Sequence, residues 1–306
     1  MAGTGNKQRK QSGTVCRESP ALVSARILLN PSLRKNGLRC FLSILKNFFL
    51  LQYKAAFFGG YLVSQADHPL DEKIPFTPGK VTVYLDFVAF WIRTIGFLFR
   101  HYQRRALEPA REILDSIGAL YERAAEVYSL SFSTTARPFY VARPRFAVIH
   151  AFDPHLMCIP SLHVMVVIRT YTLFRDILRR LGGGETFASQ IEEIRRGSLA
   201  ITEAVLYVKQ HSVNCVPAAM YAMTRFDPSL FPPKEGEYFC SRLFASRDPV
   251  SGDPVSRDPV LGEDGETIRD YMLSLYRRFL AEGEKSSRWE KPLADFLFSL
   301  PQTKKI

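Results

Sequence analysis

The chain has 306 residues, 46% apolar and 23% charged, enough to bury a sizeable core and too apolar for disorder throughout. Its mean hydropathy of -0.07 is low for a conventional polytopic membrane protein. Five widely spaced cysteines (Cys16, Cys40, Cys158, Cys215, Cys240) without a CxxC pair argue against a disulfide framework and fit a reducing compartment.

The formal charge of +11 is uneven, with eight Lys/Arg against Glu18 alone in the first 40 residues. Residues 1–39 are therefore expected to form a basic flexible arm, solvated or drawn to anionic lipid, with nucleic acid the less favoured partner. The first twenty residues lack the apolar centre of a signal peptide, so a membrane-associated or cytoplasmic location is expected. A helical core is expected over residues 40–226. Within it, residues 40–63 and 81–99 are long enough to span a bilayer, yet each carries charge. In the second stretch Asp86 and Arg93, seven residues apart, fall on one helical face.

Ile113, Leu114, Ile117, Leu120, Ala124 and Val127 recur at three- and four-residue spacing after Pro109, which predicts an amphipathic helix. Residues 137–160 are Pro-rich and read as irregular. A helix is predicted over 161–181, stopped by Gly182-Gly183-Gly184, another over 187–209, and a third from His211 through Met223. Residues 227–265 read as a loop, within which 246–260 repeat the unit SRDPV-SGDPV-SRDPV, whose regular prolines forbid helix and central strand. Residues 266–306 are expected to hold an amphipathic helix, ending at Gly283, and a tail.

Two strings carry the chemistry. In Cys158-Ile159-Pro160-Ser161-Leu162-His163 a proline and serine open a helix, placing free backbone N–H groups and a hydroxyl together as an anion cradle, with His163 in the first turn. A histidine there also serves well as a plain core residue. In Lys209-Gln210-His211-Ser212 polar groups interrupt an apolar run, and a bound phosphate would supply their partners. A helix end emerging into solvent explains the same string.

Together the strings resemble a known family. Pro160-Ser161-Leu162-His163 looks like the second signature of the type 2 phosphatidic acid phosphatase superfamily. Lys209-Gln210-His211 looks like its third, and Ile74-Pro75-Phe76-Thr77-Pro78 is similar to the segment before an early helix. The resemblance implies an all-α helical bundle with the site at the ends of core helices. By motif position His211 would be the nucleophile and His163 the general acid, with Ser161, Lys209 and Arg137 holding phosphate oxygens and no metal or cofactor required. The expected partner is a phosphorylated lipid or small phosphate ester, and a membrane surface. The sequence departs from the family at Cys215, where an aspartate would orient the nucleophile, and at Ala204-Val205, where a Ser-Arg pair is usual. It departs also at Leu130, or at Ala136 if Arg143-Pro144 is taken as the first signature, where a lysine is usual. Asp153 or Glu203 could replace the carboxylate. A catalytically inactive relative that binds phosphorylated lipid or a membrane partner is the alternative. Zinc is a second class of reading, on His150, His155, Cys158 and His163, or His211 with Cys215.

Overall fold

The computed structural model describes residues 13–245 and 261–304, so the SRDPV repeat of 246–260 lies outside the described residues. Helix α1 (Pro20–Leu29) and helix α2 (Pro31–Ile44) come first. Each starts on a proline behind a capping side chain: Ser19 Oγ accepts from the Leu22 amide at 3.4 Å, and Asn30 Oδ1 from the Ser32 amide at 2.9 Å. A π-helical stretch (Leu45–Leu50) carries α2 into α3 (Leu51–Phe58). Gly59 and Gly60, at φ 60° and 76°, then turn the chain into strand β1 (Leu62–Gln65).

Helices α4 (Val81–Leu85), α5 (Phe87–Tyr102) and α6 (Leu107–Tyr128) follow, then strand β2 (Phe132–Thr134) and helix α7 (Pro144–Phe152). Helices α8 (Leu162–Arg180), α9 (Ala188–Tyr207), α10 (Cys215–Phe226), α11 (Pro233–Arg242), α12 (Gly262–Glu284) and α13 (Lys291–Ser299) lead to strand β3 (Gln302–Lys304). The fold is thus predominantly helical, as expected. α8 is the central element, buried over most of its length and packed on α5, α6, α9 and α10. β1 pairs parallel with β2 and antiparallel with β3.

Several expectations need correction. Residues 20–39 are not a flexible arm: α1 lies on α5 and α2 on α6, burying Val23, Ile27 and Leu33. The cap and proline signals at Ser19-Pro20 and Asn30-Pro31 outweigh the polar composition. The segment 227–265 contains α11, whose Phe239 and Cys240 are buried, and the start of α12. Residues 137–160 contain α7. The helix expected from His211 begins at Cys215 instead, which leaves His211 in a loop.

Pro78–Tyr128 is the helical stretch, among the described residues, long and apolar enough to cross a membrane by length and composition; half of its apolar window is buried inside the fold. Within it Arg93 and Asp86 do share a face, in a bidentate ion pair at 2.7 and 2.8 Å.

Candidate functional site

The site is built where α8 begins and α9 ends. Strand β2 fixes the approach to α8: Ser133 accepts from the Cys158 amide through its carbonyl and from the Ile159 amide through its hydroxyl, at 3.2 and 2.9 Å. Tyr128 holds the Pro160 carbonyl at 2.5 Å. Ser161 then takes the N-cap position of α8, but its side chain caps nothing in its own helix. Its Oγ lies 3.2 Å from His211 Nε2 instead. The N–H groups of the first turn of α8 therefore keep their capacity for a ligand.

α9 closes with the backbone pattern of a Schellman cap. The Gln210 amide donates to the Val205 carbonyl at 3.1 Å and the Lys209 amide to Leu206 at 3.0 Å. The left-handed position, usually glycine, is Lys209 at φ 55°. This turn swings His211 back over the helix end. Its ring meets that of His163 edge to face, centroids 5.5 Å apart. His163 is further held between Tyr84, stacked at 4.5 Å, and Phe87 at 4.1 Å.

Charge reaches the pair from one side. Arg137 donates to Gln210 Oε1 and to the Asp153 carbonyl, both at 3.2 Å, and its guanidinium lies 3.8 Å from the Asp153 carboxylate. Asp153 accepts from the His155 amide at 2.9 Å, and the His155 ring bonds Thr135 Oγ1 at 2.8 Å. Burial would raise the Asp153 pKa, but His155 and Arg137 outweigh it and hold the carboxyl well below its usual range.

Both central imidazoles are neutral. Burial pushes the His163 pKa from 6.5 down to about 4, with Asp153 opposing and His155 adding to the effect. The ring packs against Tyr84, Phe87 and His211 and is largely but not wholly enclosed. Burial, then His163 and His155, push His211 well below its ordinary value. The Asp153 carboxylate, and after it the Cys158 carbonyl, act on His211 in the opposite direction, yet Nδ1 makes no hydrogen bond. The Cys215 thiol, buried, is held well above its ordinary pKa and so stays protonated.

The sequence-selected residues divide. His163, His211, Ser161 and Arg137 come together. Lys209 does not join them: its ammonium donates to the Asp71 carbonyl, whose carboxylate accepts from the amides of Val213 and His68 at 2.8 Å each. The left-handed turn at Lys209 sends its side chain away from the histidines. Of the two replacement carboxylates, Asp153 stands beside Arg137, whereas Glu203 accepts from the Phe244 amide at 2.7 Å. The Ile74–Pro78 segment does reach the site's edge, through a 2.8 Å bond from the Thr77 amide to the Tyr207 carbonyl. Among the described residues no group of three or more His, Cys, Asp or Glu could hold a metal, so the zinc sets are not assembled.

Tyr84, Phe87 and Thr135 were not selected from sequence; Asp153 was singled out only as a replacement carboxylate and His155 only as a zinc ligand, not as partners of each other. The aromatics sit in an apolar run where nothing marks two of them as lining a site, and Asp153 and His155 fall in a stretch read as irregular. No family model, curated protein or solved structure matches the chain.

Proposed function

We propose that the chain binds a phosphate ester at the His163/His211 site and cleaves it slowly by a phosphohistidine route. The observation that supports this best is the meeting of two motif histidines, 48 residues apart in sequence, ring against ring with Ser161 Oγ on His211 Nε2. A phosphoryl group entering between them displaces that hydroxyl contact. Its oxygens take the Ser161 hydroxyl, the free N–H groups of α8 and, after a modest swing from Gln210, the Arg137 guanidinium.

Neutral His211 presents a lone pair at Nε2 to phosphorus. As the P–O bond to the leaving group breaks, His163 donates its proton to that oxygen; the neutral ring then removes a proton from the water that hydrolyses the phosphohistidine. The empty site holds His163 deprotonated, so the proton must arrive with the substrate, whose negative charge raises the pKa of the ring.

The unbonded Nδ1 of His211 supports slow turnover, because no carboxylate is hydrogen-bonded to the ring as the imidazolium forms and Asp153 acts on it only through space. The same observation favours one other reading, a phosphate-ester-binding protein without turnover. Orthovanadate, which adopts the five-coordinate geometry of the transfer, separates the two from a chance pairing of histidines. Binding by the wild type, lost in His211→Ala and weakened in Arg137→Ala, is expected, together with release of phosphate from a panel of lipid and soluble esters. Binding without release selects the second reading. Vanadate affinity unchanged in His211→Ala would remove both.

A further inference from the structure

The run from α2 through α3, residues 31–58, is built inside out. Its inner face buries Leu33, Cys40, Ser43, Gln52 and Ala55, mostly small or polar. Its outer face carries Phe41, Leu42, Leu50, Phe57 and Phe58, each more than half exposed, with Phe57 and Phe58 at 81% and 79%. An ordinary surface helix turns such side chains inward. A contiguous apolar face of this kind marks an interaction surface.

The chemistry around it specifies the partner. The same run contains Arg34, Lys35, Arg39, Lys46 and Lys54 and no Asp or Glu. Arg39 pairs with Asp115 at 3.7 Å, whereas Lys35 and Lys46 make no ion pair among the described residues. These two lysines and Arg39 flank a cleft with Leu38 and Leu42, lined also by Glu122, which accepts from Ser43 Oγ at 3.2 Å, so three cations face one carboxylate. Leu38 is shared with a neighbouring groove of about 460 Å³ between α1, α2 and α5. That groove is lined almost wholly by apolar side chains, among them Ile27, Leu28, Phe41 and Trp91.

We propose that the α2–α3 face docks on an anionic bilayer surface, with an acyl chain in the α1–α2–α5 groove and its headgroup phosphate between Lys35 and Lys46. Apolar groove, basic notch and protruding aromatics lie side by side, which is the order of tail, headgroup and interface in a lipid leaflet. A second protein would satisfy the apolar face, but it would leave the unpaired lysines unexplained unless it were acidic. The inference is independent of the histidine site.

Vesicle flotation with the full chain tests it, comparing vesicles of pure phosphatidylcholine with vesicles containing phosphatidylserine. The wild type is expected to float with the anionic vesicles and to be released by salt. The double variant Lys35→Gln, Lys46→Gln should lower partitioning roughly 25-fold, at about fivefold per basic residue near the surface. The variant Phe41→Asp, Leu42→Asp should abolish flotation while leaving the circular dichroism spectrum and unfolding midpoint unchanged, since both side chains are exposed. Removing the same charge from another part of the chain, by Lys234→Gln and Lys285→Gln, should change partitioning little. Flotation insensitive to all of these variants would overturn the proposal. So would failure of the wild type to float, with Phe41→Asp, Leu42→Asp converting a dimer to a monomer; the face would then be an interface between copies.

Discussion

Replacing His163 by Phe should flatten the pH dependence of stability on the acid side. The ring is held neutral by burial, its pKa moved from 6.5 to about 4. An unfolded chain takes up the proton near pH 6.5 and the folded chain does not until about pH 4, so stability is complete above pH 7 and falls as the pH drops through that window. For this one residue the loss between pH 7.5 and 4.5 is roughly 2.5 kcal/mol. Phenylalanine suits the contacts with Tyr84 and Phe87 and has nothing to protonate. Urea unfolding of both proteins across that range measures the difference, because ionisable groups away from the site contribute equally to each; His211, which loses the His163 neighbour, is the group whose contribution also changes. The gap between wild type and variant should change by roughly 2–3 kcal/mol. Saturating inorganic phosphate should shrink it, since a bound anion favours the charged ring. Parallel pH profiles for the two proteins would refute the neutral, buried assignment of His163, and with it the requirement that substrate bring the proton.

Cys215→Asp should raise phosphate release if the thiol occupies the orienting position, and adding His211→Ala should abolish the gain; an unchanged rate in Cys215→Asp would show that a carboxylate there does not reach the ring. Arg137→Ala should weaken orthovanadate binding roughly tenfold, the loss of one charge-assisted contact, as read by calorimetry. Gly236→Ala should destabilise by about 1–3 kcal/mol in thermal or urea unfolding, because its Cβ would lie 2.6 Å from Tyr276 Cζ, and Tyr276 is fixed by Thr224 Oγ1 at 2.7 Å. Asp71→Asn should reduce His211-dependent vanadate binding more than it reduces stability, since it weakens the hold on the Val213 amide.

Much of the bundle was legible because burial follows the helical repeat. Leu120, Ala124 and Val127 on α6 are buried at the spacing that marked them, and Ile268, Met272 and Phe279 bury the expected face of α12. The strands were not legible, since three or four residues are too few to show alternation; their pairings join residues as distant as Val63 and Thr303. Charge misled the reading at the N-terminus, where Ser19-Pro20 and Asn30-Pro31 were the better guide. At the site, residue types were readable and directions were not. Lys209 and His211 are two positions apart, and one left-handed residue sends the ammonium to Asp71 and the imidazole to His163. Cys215 was marked by its position, but no hydrogen bond links it to the ring it was expected to face.

The double hold of Asp71 on the His211 loop bears on whether the motif is portable. Lys209 reaches the Asp71 carbonyl and the Val213 amide reaches its carboxylate, across 138 and 142 residues of chain. The string Lys209-Gln210-His211 is therefore a passenger on a turn formed far away in the sequence, Pro69–Lys73. Grafted alone onto the end of another helix, it would bring the residues without the geometry. A transplant would have to carry both pieces, and moving either one alone would change where the imidazole points while leaving the motif itself intact to the eye.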